Sequence, residues 1–495
     1  MANGNMANGN TTNGTHESSK IETRCFINNE FVESKETFDL HSPSTGKLTA
    51  SVCQAGADLV DSAVDAAHAA FPAWSALDAP ERAKCLNRLA DLLVEHAEEL
   101  SRLEALSMGK VAAFYPPEVQ WAADILKYFA GLAREVHGES SLTTAGMVNM
   151  TFVQPYGVCG AIVPWNGPLV AMSLKVGPAL AAGNTLLLKP SEKSPLTALY
   201  MGKLIPQAGF PPGVLNILPG HGRVTGAAIA SHMRIRKLAF TGSTRTGRII
   251  KRLAAESNLK DVTLELGGKS PLIVFPDADL QETVAAAAFS IAMNSGQICM
   301  ASSRVYVHES IGEKFVEEYV TKFKEIMGKA GDALDPNTTH APQADAMQYE
   351  SIMKHFETAK NEGASPITGG KRIGEQGYFI EPTVYLNPGH SSSINREEVF
   401  GPVAVINTFS SEEEVLKLAN DTEYGLYASV YTKDISRALR FAKQLESGMV
   451  GVNCTSPTMA FDLPFGGTKQ SGEGRESSLK SLHSWTELKT VMIKI

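Results

Sequence analysis

Two glycine-bearing segments carry side chains that can do chemistry together: Glu265-Leu266-Gly267-Gly268 and Gly296-Gln297-Ile298-Cys299. The carboxylate precedes the thiol by 34 residues. A thiolate adds to a carbonyl carbon, and a carboxylate can then activate water against the resulting thioester. The pair therefore points to covalent catalysis that ends in hydrolysis. A cysteine alone reads as a buried, inert thiol. The Gly296 turn ahead of Cys299, and its place at the end of a predicted helix, argue for the nucleophile. Glu265 lies between Leu264 and Leu266, so partial burial and a raised pKa are expected rather than a solvated strand end.

Three further segments supply candidate partners. Gly242 and Gly247 in Phe240-Thr241-Gly242-Ser243-Thr244-Arg245-Thr246-Gly247 allow close backbone approach where a helix opens after a strand. Free N–H groups there suit a phosphate, although the segment lacks a full GxGxxG. Lys189-Pro190-Ser191-Glu192 puts an ammonium and a carboxylate just past the carboxyl end of a strand, where α/β sheets bind ligands. Glu192 would accept from a ribose diol and repel a 2′-phosphate; capping of the next helix is its other reading. Pro164-Trp165-Asn166-Gly167-Pro168 offers the Asn166 amide to a developing oxyanion, together with the Cys299 N–H. Taken alone, that asparagine reads as an Asx-turn.

These residues must be positioned by alternating elements. Short β-branched runs begin at 152–153 and 158–163. Strands at 185–189, 214–218 and 237–240 then alternate with helices at 194–208, 222–231 and 244–257. The pattern restarts after Glu265 with a strand at 271–275, a helix at 280–295, a strand at 304–308 and a helix at 312–328. That alternation predicts an α/β fold with mostly parallel sheets and a seam near 264–268. Before it, 25–32 reads as a hairpin turning at Asn28-Asn29, and 56–74, 79–110 and 120–136 read as helices. Residues 482–494 look strand-like.

A chain of 495 residues exceeds one hydrophobic core, so two or three domains are expected. Net charge is −8 with Lys and Arg dispersed, which argues against nucleic acid or an anionic membrane as partner. The longest apolar runs are too short for a membrane span. The cysteines, at 25, 53, 85, 159, 299 and 454, form no metal-spaced set, so no metal site is expected, and their scatter suits a reducing compartment. Met1-Ala-Asn-Gly-Asn5 repeats as Met6-Ala-Asn-Gly-Asn10, so residues 1–20 are expected to be a disordered tail. That tail has neither an apolar h-region nor an Arg-rich amphipathic face, and the last residues hold no targeting tripeptide; a cytoplasmic location is expected.

Together these segments resemble the NAD(P)-dependent aldehyde dehydrogenase superfamily. The matching stretches also include Leu264 to Pro271, Glu397-Glu398-Val399-Phe400-Gly401-Pro402 and Pro464 to Gly472, in family order. The resemblance covers nearly everything after residue 20. It implies Cys299 as nucleophile, Glu265 as general base and Asn166 with the Cys299 amide as oxyanion hole, and it gives Lys175 a part in proton release. It implies that Lys189 and Glu192 hold the adenosine ribose. Trp165, Ser243 and the nearby Gly222, Gly242, Thr244 and Gly247 would bind the cofactor's phosphate region, while Glu398 and Phe400 place the nicotinamide riboside. The implied cofactor is NAD, with NADP as the alternative.

The implied fold is a Rossmann-like NAD-binding domain (21–131 and 151–264), an α/β catalytic domain (265–479) and a small β oligomerisation arm (132–150 and 480–495). A homodimer or homotetramer acting on a small-molecule aldehyde would follow. Glu265 favours a hydrolytic enzyme over one that passes the acyl group to coenzyme A. Gly167, Ala171 and Leu174 are smaller than the side chains many relatives carry there. With the Ile298-Cys299-Met300 context, which resembles benzaldehyde- and salicylaldehyde-type members, they imply a widened tunnel for a bulky or aromatic aldehyde. Met300 or the loop 455–463 filling the vacated space is the competing expectation.

Overall fold

The computed structural model describes residues 21–495; the expected tail at 1–20 lies outside the described residues. Two large sheets carry the molecule. The first has eight strands, and its central five, in spatial order Asp261–Glu265, Lys237–Thr241, Val158–Ile162, Thr185–Lys189 and Leu215–Ile217, are all parallel. The hairpin Cys25–Ile27 and Glu30–Val32 extends one edge antiparallel, turning through Asn28 and Asn29 with φ of 56° and 63°. Gly472–Glu473 closes the other edge against Leu264 and Glu265.

The second sheet has seven strands. Its core of Thr383–Leu386, Val403–Phe409, Arg304–His308, Pro271–Val274, Tyr427–Tyr431 and Met449–Val452 is parallel throughout. Parallel strands need both faces covered. Accordingly, Thr185–Lys189 and Tyr427–Tyr431 are buried at every residue, although the first ends in a lysine. The strands Asp261–Glu265 and Pro271–Val274 fall in different sheets, so the chain crosses between them within Leu266–Ser270. A third, three-stranded sheet pairs Met147–Pro155 with Thr486–Lys494 along nine residues and with Ser140–Ser141.

Four elements differ from the sequence expectation. The stretch 79–110 is two helices, Ala79–Glu95 and Ala97–Met108. His96 lies between them at φ −106° and ψ 19°, and Glu98 and Glu99 occupy the second helix's first turn, where acids favour the positive end of the dipole. The helix expected at 120–136 starts earlier, at Pro116, because proline suits a first turn. The helix expected to reach 295 stops at Ala292, since Asn294, Ser295 and Gly296 are all left-handed. The start of the 482–494 strand is helical: Ser478–Ser484 buries Leu482, and Thr486–Lys494 follows as the strand.

Candidate active site

The crossing at Leu266–Ser270 brings the two sheets' functional residues together. Thr241 pairs in register with Glu265 at the ends of adjacent strands. Beyond Glu265 the backbone packs on the thiol's turn so closely that a Cβ on Gly268 would lie 2.5 Å from the Cys299 carbonyl oxygen. The thiol's turn is itself tightly bound. Gly296 has φ of 78°, and a Cβ there would overlap the Gly401 carbonyl at 1.8 Å. The turn therefore requires glycine on two counts. Buried Gln297 ties it down, donating to the Asn294 and Pro342 carbonyls and accepting from the Ala344 N–H.

Asn166 reaches this turn from the first sheet. Its Nδ2 donates to the Gln297 carbonyl at 3.0 Å, two residues before Cys299. Burial pushes the Cys299 thiol up to about 12, with the Glu398 and Glu265 carboxylates adding to the rise and the Met300 and Cys299 N–H groups opposing it. These surroundings favour the protonated sulfur.

Glu265 is 4% exposed, and its Oε2 has no hydrogen-bond partner. Burial, then the Glu476 carboxylate, holds its carboxyl well above the usual range; Lys175 and Arg475 pull the other way. Lys175 is buried and donates to Thr241 Oγ1 at 2.7 Å and to Glu476 Oε1 at 2.5 Å. Glu476 is the residue the sequence reading missed. It sits in Gly472-Glu473-Gly474-Arg475-Glu476, which reads as a solvated loop, and its partner is 301 residues away.

The cofactor candidates fall in two groups. Lys189 Nζ donates to the Pro190 carbonyl at 2.8 Å and to Glu192 Oε2 at 3.3 Å. Burial opposes ionisation of Glu192, but Lys189 and then His221 hold its carboxyl below the usual range. Gly222 follows His221 on the surface, with open space where a Cβ would stand, while Gly226 lies against the Lys189 side chain. Ser243 caps the helix Thr244–Glu256, accepting from the Thr246 N–H, and Thr244 Oγ1 donates to the Gln470 carbonyl. Gly242 donates to the Glu265 carbonyl at 3.0 Å, and Gly247 is buried against Leu266. This run thus leads from the Ser243-capped helix start to the Glu265 turn.

At the other end, Glu398 Oε1 accepts from the Gly268 N–H at 2.9 Å. Burial pushes its carboxyl up to about 7, against the pull of that N–H and of Lys269. Phe400, at φ 56°, packs edge-on against Trp165 with ring centroids 5.3 Å apart, and Lys193 lies over the Trp165 ring. An ionised acid beside a buried lysine, a helix start after a glycine turn and a second acid near the thiol are groups that suit a dinucleotide.

Around the small residues, the structure shows both space and filler. A Cβ on Gly167 would meet only Glu118 Oε1, at 3.8 Å. Ala171 and Leu174 are buried in a cluster on which Val170 and Phe461 pack. Phe461, from the 455–463 loop, stands edge-on to Trp121 at 6.3 Å. Trp121, Phe289, Met459 and Phe461 line a cavity of about 460 Å³ that also reaches Tyr431 and Cys454. The loop is anchored by hydroxyl pairs, Ser290 with Ser456 and Ser302 with Thr455, both at 2.6 Å.

The whole chain is similar to known proteins. Residues 31–491 match the aldehyde dehydrogenase family. The chain is 45% identical to the cytosolic 1 aldehyde dehydrogenase of Rattus norvegicus over 479 residues, 96% of this chain and 95% of that one. It is also 45% identical to retinal dehydrogenase 2 of Gallus gallus, covering 96% and 92%. Among solved structures, the P. syringae AldA indole-3-acetaldehyde dehydrogenase in complex with NAD+ and IAA superposes with a TM-score of 0.94 at 40% identity, covering 97% and 98%. The aldehyde dehydrogenase KauB of Pseudomonas aeruginosa superposes with a TM-score of 0.93 at 42% identity, covering 96% and 97%. The chain belongs to the aldehyde dehydrogenase family, and its activity is the oxidation of an aldehyde with NAD.

Proposed function

We propose that this chain oxidises a bulky or aromatic aldehyde to the carboxylic acid through a thioester on Cys299, hydrolysed with Glu265 as base. The observation that carries the reading is the buried Glu265 carboxylate, with Oε2 unpartnered, in the turn pressed against Cys299. Sulfur adds to the aldehyde carbon as Glu265 takes the thiol proton, which is released before hydrolysis. The Asn166 amide and the Cys299 N–H receive the oxyanion. NAD, when bound, supplies the hydride acceptor. Loss of hydride from the carbon leaves the thioester on Sγ. Glu265 takes a proton from water, the oxygen attacks the thioester, and the C–S bond breaks to free the acid while the departing sulfur takes that proton back as the thiol. Lys175, between Thr241 and Glu476, takes part in releasing the one proton given up in the first step.

Glu192 and Lys189 hold the adenosine ribose. Gly222, Gly242, Ser243, Thr244, Gly247 and Trp165 line the phosphates, and Glu398 with Phe400 places the nicotinamide riboside. The ionised Glu192 favours NAD over NADP, whose 2′-phosphate it repels. In this reading 21–131 and 151–264 form the cofactor domain, 265–479 the catalytic domain, and 132–150 with 480–495 the arm. Exposed Leu488 and Met492 on the arm's edge strand Thr486–Lys494 support a homodimer or homotetramer. Free thiols at all six cysteines support a cytoplasmic setting, and among the described residues no helix is long and apolar enough to cross a membrane.

Cys299→Ala tests the chemistry. Turnover is expected to fall to background while NAD binding survives, and retained turnover would overturn the nucleophile. An NADH-absorbance screen tests the substrate. Aromatic aldehydes are expected to outperform short aliphatic ones; the reverse order would sink the wide tunnel.

A further inference from the structure

Lys269 stands next to the Glu265 turn and takes no part in the steps above. It is 1% exposed, one of the most deeply buried cations in the chain. Its contacts span the two segments that hold Glu398. Nζ donates to the Ile394 carbonyl at 2.9 Å, in the short helix Ser393–Arg396 that leads into Glu398. Its own carbonyl accepts from Arg304 Nε at 2.8 Å. The residue before it, Gly268, donates to Glu398 Oε1, and a Cβ on Gly267 would lie 2.0 Å from Glu398 Oε2. Gly267 and Gly268 thus lie against one carboxylate, and Lys269 ties down the short helix that leads into it.

A buried ammonium without a counter-charge is costly. Lys269 makes no direct salt bridge among the described residues, and the anions whose field it feels are Glu398 and Glu397. We infer that Lys269 is the positioning residue that clamps the Glu398 segment and keeps its carboxylate ionised beneath the nicotinamide riboside. The proposal rests on the reading that Glu398 serves the cofactor.

The surroundings agree. Burial first, then Arg304, brings the Lys269 ammonium down to about 7, while Glu398 rises to about 7. The other titratable groups in this field are Cys299 from the thiol turn, Tyr424 from its loop, and His355, which Lys269 and Glu397 influence in opposite senses.

The test reads Glu398 in the protein without cofactor. The infrared band of a neutral carboxyl that vanishes in Glu398→Gln is followed against pH in the wild type, Lys269→Met and Lys269→Arg. Removing the cation is expected to raise the midpoint by about one pH unit. Lys269→Arg keeps a charge and a donor and is expected to hold the midpoint at or below the wild-type value. The NADH burst of Lys269→Met is expected to slow at neutral pH and recover as pH rises, because alkali ionises Glu398 without help. In the Glu398→Gln background the same substitution should add no further slowing.

An unchanged midpoint in Lys269→Met overturns the inference, as does an equal upward shift in both variants. Should Lys269→Met fail to fold, Lys269→Arg decides alone: a midpoint above the wild type refutes charge support. Failure of the underlying reading looks different. Glu398→Gln would then leave the NADH burst untouched even though Lys269 still moved the Glu398 midpoint.

Discussion

Glu192 and Glu265 are the same side chain, one just past and one at the carboxyl end of a strand in the same sheet, and the structure treats them in opposite ways. Glu192 is about one-third exposed and lies 3.3 Å from the Lys189 ammonium, so it stays ionised below the usual carboxylate range. Glu265 is buried with an oxygen left unpartnered, and its proton affinity rises far above that range. A fixed charge suits recognition, because it holds a ribose across the whole working pH range. A carboxyl with a high proton affinity suits proton transfer, because it can take a proton from water and release it. In the proposed mechanism, contact with a buried ammonium is what separates the binding acid from the reacting one. Lys189 touches Glu192, whereas Lys175 gives its bonds to Thr241 and Glu476 instead of Glu265.

Substitutions can break that contrast. Glu265→Gln removes the proton carrier and is expected to lower kcat by about 10²- to 10⁴-fold with little change in NAD affinity, measured by steady-state kinetics and calorimetry. Glu192→Gln is expected to do the converse. NAD affinity should weaken by about 10- to 100-fold, the worth of hydrogen bonds to a charged group. In that variant kcat at saturating NAD should hold, and the gap between NAD and NADP should narrow.

The smallest effect sharpens the contrast through pH. In the proposed mechanism Glu265 acts as base only when ionised, so acyl-enzyme hydrolysis should rise with pH. Lys175 lowers the proton affinity of Glu265 and Glu476 raises it. Lys175→Met should therefore move the rising limb to higher pH, and Glu476→Gln should move it to lower pH, each by about one unit. Movement in the same direction would mean that the two residues act on folding rather than on Glu265.

Much of this was legible in the sequence wherever signals are local. The strands at 185–189 and 304–308 stand where their apolar runs place them, and the crossing between sheets follows the glycines after Glu265. The helix break at His96 was not legible, because neither proline nor glycine marks it. The end of the helix at Ala292 was missed because Asn294 and Ser295 take left-handed angles only under the packing of Gly296 on Gly401. Glu476 and Lys269 escaped for a different reason: their partners lie 301 and 125 residues away, and nothing in their neighbouring residues signals burial. Local pattern pointed to Cys299 and Glu265, while groups packed around them come from distant loops.

The most direct measurement is intact-mass analysis of Glu265→Gln after brief mixing with NAD and an aromatic aldehyde. The account expects a burst of one NADH per active site and one acyl group per chain, on Cys299, that persists because hydrolysis has lost its base. Undiminished turnover with no adduct on Cys299 would contradict it.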